Sequence, residues 1–188
     1  LRDTAYWQTI AAQIPLYLDE NGLANYCPPS AGWHNTGSDS LTAYLLSITD
    51  EASKLGYDFH IPPDTRDKME RGLIAFVEGR TKRDFWMPAF LKNGDLDVRK
   101  LAALEALSRT GRVQPRMLGS IQILPNQWPT GAVIDWLMVL DRVKDIPDRD
   151  KRITEADQIL RARLNVQGTR LGFSTERDDS WWWLMSNG

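Results

Sequence analysis

Residues Gly37–Gly56 read GSDSLTAYLLSITDEASKLG. The apolar positions in this stretch are Leu41, Tyr44, Leu45, Ile48, Ala52 and Leu55. They recur every three or four residues, which is one stripe of an α-helix and not the alternation of a strand. Ser38 or Asp39 can cap the first turn, and Gly56 supplies the stop. The spacing therefore predicts a helix over Ser38–Leu55 with that stripe facing inward.

The same period continues outward from this segment. Pro62-Pro63-Asp64 is a start signal, because proline is tolerated in a first helical turn. It leads a helix with Met69, Leu73, Phe76 and Val77 inward and charges outward, closed by Gly79. A loop covers Thr81–Gly94. Val98, Leu101, Leu104 and Leu107 then mark a helix over Asp95–Ser108, with Gly111 as its stop. QPRMLGSIQIL predicts a short helix after Pro115. From Pro129 to Val143 the run Val133, Ile134, Trp136, Leu137, Met138, Val139 and Leu140 is apolar nearly all round, as in a helix buried on most sides. DRDKRITEADQILRARL, Asp148–Leu164, is amphipathic, with Ile153, Ala156, Leu160 and Leu164 on one face. DDSWWWLMSNG, from Asp178, reads as a last helix over Asp178–Ser186. Strand signal is slight; LGFST is at most a short extended stretch.

Helices with charged outer faces (Pro63–Gly79, Asp148–Leu164) thus alternate with more apolar ones (Ser38–Leu55, Asp95–Ser108, Pro129–Val143, Asp178–Ser186). That alternation predicts an all-α fold of stacked helical hairpins, about four of them. Closed, it is an α/α toroid with inner and outer layers; an open solenoid needs the same pattern. The expectation is one domain over 1–188, a partial toroid.

Composition narrows the function classes. The chain has 188 residues, 26% charged and 42% hydrophobic, with a net charge of −2. That balance argues against a nucleic-acid surface, which needs clustered Lys and Arg. No apolar run approaches the roughly 18 residues of a membrane span. The chain begins at Leu1 without Met or a signal-like segment, and reads as an excised piece. Cys27 is the only cysteine, so no internal disulfide is possible. It has His34 nearby, but nothing in the sequence fixes their geometry or lowers the thiol pKa, so a loop thiol is expected. His60 precedes Ile61-Pro62 and reads as a loop histidine. Two histidines and one cysteine match no metal pattern. No metal, cofactor or catalytic residue is expected.

GSDSLTAYLLSITDEASKLGY and the following IPPDTRDKMERGLIAFVEGR resemble the thioester-domain region of bacterial alpha-2-macroglobulins. QWPTGAVIDWLMVL and GFSTERDDSWWWLM resemble later inner helices of that region. The resemblance runs from about Thr4 to the end. It implies an α/α toroid of six hairpins, of which this chain would be a fragment. It also implies a large secreted or periplasmic parent, in some cases membrane-anchored, that traps proteases. In that family a Cys-x-Glu-Gln motif forms a buried thioester, released when a bait region is cut. Here Cys27 is followed by Pro28-Pro29-Ser30, which cannot make that turn. The resemblance puts the motif upstream of LTAY, either before Leu1 or missing from the parent. The complement-type members also carry a histidine before the second inner helix; the matching Thr81–Asp97 has none. The resemblance implies a non-catalytic domain. Its partners would be neighbouring domains of the parent and, through it, trapped proteases or cell-envelope proteins.

The toroid fold also hosts carbohydrate-active enzymes, so a second expectation is kept: a glycosidase or lyase using paired carboxylates. Asp135, Asp178 and Asp179 are its candidate acids, and Trp128 and Trp181–Trp183 its sugar platforms. Asp178 and Asp179 precede a helix, where capping explains the acids, and structural roles are expected ahead of catalytic ones. Consecutive tryptophans on a helix point about 100° apart and cannot share a face. Asp135 lies in an apolar run and is expected to face the toroid axis or to pair with an arginine or a tryptophan N–H.

Overall fold

The computed structural model describes residues 4–29, 37–81 and 94–173. The described fold is all-α apart from one two-stranded ribbon. The chain divides into two compact units, Leu1–Trp86 and Met87–Gly188.

The first unit holds α1 (Thr4–Gln13), α2 (Asp39–Lys54) and α3 (Pro63–Val77). Ser38 is the N-cap of α2, and its Oγ accepts a hydrogen bond from the Leu41 amide at 3.1 Å. Pro63 opens α3, and Met69, Leu73, Phe76 and Val77 are its buried face, as their spacing predicts. The face of α2 is a correction. The buried residues are Asp39, Ser40, Thr42, Ala43, Leu46 and Thr49. The stripe expected inside is instead turned outward: Tyr44 is 53%, Ile48 42% and Leu55 76% exposed.

The reason lies in what the polar face bonds. Thr42 Oγ1 accepts from the Ala24 amide at 2.8 Å and donates to the Ser38 carbonyl at 2.6 Å. Thr49 Oγ1 donates to the Leu45 and Leu46 carbonyls, both at 2.9 Å. With their hydroxyls satisfied, the two threonines bury without an unmet polar group. The 19–25 segment packs against this face. Asp19 holds it: Oδ1 accepts from the amides of Asn21 (2.9 Å) and Leu23 (2.8 Å), and Oδ2 from the Gly37 amide at 2.8 Å.

The same segment lies against α3 at Gly72, where a Cβ would come within 2.5 Å of the Asn21 carbonyl oxygen. Glycine inside a helix ordinarily costs about 1 kcal/mol relative to alanine. At this position the order should reverse. Gly72→Ala is expected to lower stability by about 1–3 kcal/mol, the usual range for overpacking, measurable by urea unfolding. A gain in stability would mean that the 19–25 turn does not seat on α3.

The second unit holds α4 (Gly94–Ser108), α5 (Thr130–Arg142) and α6 (Arg149–Arg163), then β1 (Leu164–Gln167) and β2 (Arg170–Phe173). The expected face of α4, Val98, Leu101, Leu104 and Leu107, is buried, but so are Arg99, Lys100, Glu105 and Ser108. This helix is enclosed on most sides. α5 is less so than its sequence predicts. Ala132, Val133, Trp136, Val139 and Leu140 are buried, while Met138 is exposed. The expected helix after Pro115 is a short 3₁₀ turn, Pro115–Ser120.

On α6 only Ala156 is fully buried. Leu164 is exposed and lies beyond the helix as the first residue of β1. The extended LGFST stretch begins inside β2, which pairs antiparallel with β1 in the register Leu164↔Phe173 and Val166↔Leu171. Gly168, with φ 62°, supplies the left-handed backbone needed at the first position of the two-residue loop. The helix expected over Asp178–Ser186 lies outside the described residues.

Candidate functional site

The described candidate residues fall in both units, Cys27 and His60 in the first and Trp128 and Asp135 in the second. Cys27 is exposed. It follows the stretch anchored by Asp19, which pins backbone on both sides of the 26–36 segment through Leu23 and Gly37. His34 lies outside the described residues, as do Asp178, Asp179 and Trp181–Trp183. His60 is exposed, with Nε2 3.3 Å from Asp58 Oδ1. An exposed contact of this kind contributes little to stability. Among the described residues no group of three or more His, Cys, Asp or Glu side chains could hold a metal ion. None of the described helices is long and apolar enough to cross a membrane.

Asp135 is the acid with the most altered chemistry, and its neighbours are the part the sequence does not announce. It sits on α5, with Arg142 seven residues on and so on the same helix face. α4 packs against α5 and contributes Glu105, Ser108 and Arg109. Glu105 Oε1 receives Arg109 Nε at 2.9 Å, Arg109 Nη2 at 2.7 Å and Arg142 Nη1 at 2.8 Å. Arg142 Nη1 also donates to Ser108 Oγ at 3.1 Å, and Ser108 Oγ donates to the Glu105 carbonyl at 2.6 Å. Glu105 is almost wholly buried, and the two guanidinium groups supply counter-charge that a buried carboxylate requires.

Asp135 faces this set, partly buried, and accepts no hydrogen bond from the described residues. Of the two expected arrangements, pairing with an arginine or a tryptophan N–H is not made among the described residues. Burial first, and then the Glu105 charge, push its carboxyl up to about 7, against the pull of Arg109 and Arg142. The indole N–H of Trp136, next along the chain, is buried without a hydrogen-bond partner. Its ring meets Trp128 edge-on at 6.3 Å, and the Arg152 guanidinium lies 5.9 Å from its centroid. Trp128 is itself buried. It is a core residue, which corrects its candidacy as a sugar platform.

Charged side chains elsewhere are also held in place, among them half-buried Arg66 and buried Lys100. Arg66 joins α3 to α2 through a bidentate pair with Asp50 at 2.7 and 2.8 Å, and its Nε donates to Glu70 at 3.0 Å. Lys100 on α4 donates to the Ser120 carbonyl at 3.3 Å. Burial lowers its pKa, opposed by Asp97. One signal could have exposed the α4 cluster in the sequence. A Glu–Arg pair spaced i,i+4, Glu105 and Arg109, within a helix apolar on several sides must be internally neutralised.

The chain matches no protein-family profile, no curated protein and no solved structure.

Proposed function

We propose that this chain is a non-catalytic helical domain of a bacterial alpha-2-macroglobulin-like, protease-trapping protein. On this reading it is part of an α/α toroid that docks against neighbouring domains of its parent. The observation that carries the reading is the outward stripe of α2. Tyr44, Ile48 and Leu55 are exposed, with Leu41, Leu45 and Ala52 partly so along the same face. A domain that shields a reactive turn in its parent needs an apolar flank of this kind. The stripe falls within GSDSLTAYLLSITDEASKLGY, one of the segments that carry the resemblance. Cys27, followed by two prolines, supplies no thioester, so any acylating group belongs to another part of the parent.

One observation favours the carbohydrate-enzyme reading: Asp135 combines a raised pKa with a nearby second acid. Against it, Glu105 is already neutralised by two arginines and is not free to act as nucleophile or base. Trp128 and Trp136 are buried, not lining a groove.

The test is a trapping assay on the longer polypeptide that this reading requires. After incubation with trypsin, cleavage of a large protein substrate should be suppressed while a small chromogenic peptide is still cut. The isolated chain should neither inhibit trypsin nor turn over polysaccharides. Turnover of a polysaccharide by the isolated chain, abolished in Asp135→Asn, would overturn the proposal in favour of the enzyme.

A further inference from the structure

We propose that the α4–α5 contact is a proton-operated joint. Asp135 carries the proton in the arrangement described, and losing it to solvent draws Arg142 from Glu105 and Ser108 toward Asp135.

The geometry gives the joint its two states. In the first, Arg142 Nη1 is bound to Glu105 Oε1 and Ser108 Oγ, both on α4. Arg109 is held on Glu105 through Nε and Nη2. Among the described residues, donors of both arginines thus meet on one carboxylate, and the second acid facing them receives none. A partly buried carboxyl without a donor is stable when neutral and unstable when ionised. Ionised, Asp135 adds a second negative charge beside Glu105. The rearrangement open to it is to take a guanidinium. Arg142 is placed for this: it shares a helix face with Asp135, and Glu105 keeps Arg109 when Arg142 turns. Because Arg142 is the side chain that ties α5 to α4 here, its transfer exchanges an interhelical tie for an intrahelical one. Only the carboxyl O–H bond is broken.

Among the described residues no other charge near α5 substitutes for these groups. From α4 the facing groups are Glu105 and Arg109, and from α5 itself Arg142. The cations of α6 that reach α5 or its flanks are engaged elsewhere. Arg149 donates to the Leu140 carbonyl, Arg152 stacks over Trp136, and Arg163 donates to Thr130 Oγ1 and the Asn126 carbonyl. The 3₁₀ turn Pro125–Gln127, which also packs on α5, carries no charge. The other buried cations of α4 are Arg99, which has an interaction of its own, and Lys100, which is turned to Ser120. The proposal does not depend on the protease-trap reading, and either can fail without the other.

The experiment is an NMR titration of the whole chain from pH 4 to 9. It follows the carboxyl carbon of Asp135 and the guanidinium nitrogens of Arg142 and Arg109. Asp135 is expected to titrate near 7. Arg142 resonances should move with the same midpoint and Arg109 much less, while amides of α4 and α5 lose protection above that midpoint. In Asp135→Asn the Arg142 transition should vanish. An Asp135 midpoint in the ordinary carboxylate range, or an Arg142 signal that ignores the titration, would overturn the proposal. The wild-type titration decides this even if the variant does not fold.

Discussion

Glu105→Gln is expected to lower the stability of the second unit by about 3–5 kcal/mol, the cost of leaving buried cations without their counter-charge. The carboxylate accepts from Arg109 at 2.7 and 2.9 Å and from Arg142 at 2.8 Å. Glutamine keeps the shape but offers one neutral acceptor oxygen, and its amide donors face guanidinium donors. The two arginines are only 11% and 20% exposed, so water replaces the lost charge poorly. Urea unfolding followed by circular dichroism measures the loss. A double variant with Arg142→Met should cost less than the sum of the singles, because the second change removes a cation that the first has orphaned. A loss below about 1 kcal/mol for Glu105→Gln would place the pair in the class of solvent-exposed bridges.

Asp135→Asn is expected to raise stability at pH 8 and to change little at pH 4. The folded-state pKa of Asp135 is raised from 3.8 to about 7. Between those values the native state holds a proton that the unfolded chain has released. The stabilisation is therefore complete below about pH 4 and lost as pH rises through 7. Each pH unit in that window removes about 1.4 kcal/mol, so the penalty at pH 8 is about 2–4 kcal/mol. Asparagine cannot ionise and escapes it. Urea unfolding of both proteins at pH 5, 6, 7 and 8 reads the difference directly. Parallel pH profiles for the wild type and Asp135→Asn would show that Asp135 is not the group responsible.

The sequence carries α3 and α4 most clearly, since Met69, Leu73, Phe76 and Val77, like Val98, Leu101, Leu104 and Leu107, combine helical spacing with burial. α2 shows where periodicity stops being informative. It has two competing faces, one apolar and one of small and polar residues. The second wins because Thr42, Thr49 and Asp39 lie where backbone and hydroxyl partners meet them, and because Asp19 fixes a turn against that face. Apolar spacing records which residues prefer to leave water. It does not record which polar residues find partners. The same gap hides the Asp135 site. Its isolation within an apolar run is legible, whereas its neighbours depend on a contact between helices some 30 positions apart in the chain, as in the pair Arg142–Ser108.

On the proposed reading, the apolar stripe of α2 is a buried joint in a larger protease-trapping polypeptide. The most direct measurement is thiol labelling at Tyr44→Cys with Cys27→Ser removing the native exposed thiol. Rates are compared in the isolated chain and in the longer polypeptide before and after incubation with trypsin. The account predicts fast labelling of the isolated chain, slow labelling of the intact polypeptide, and acceleration once the protease has cut. Equal rates in all three states would contradict it.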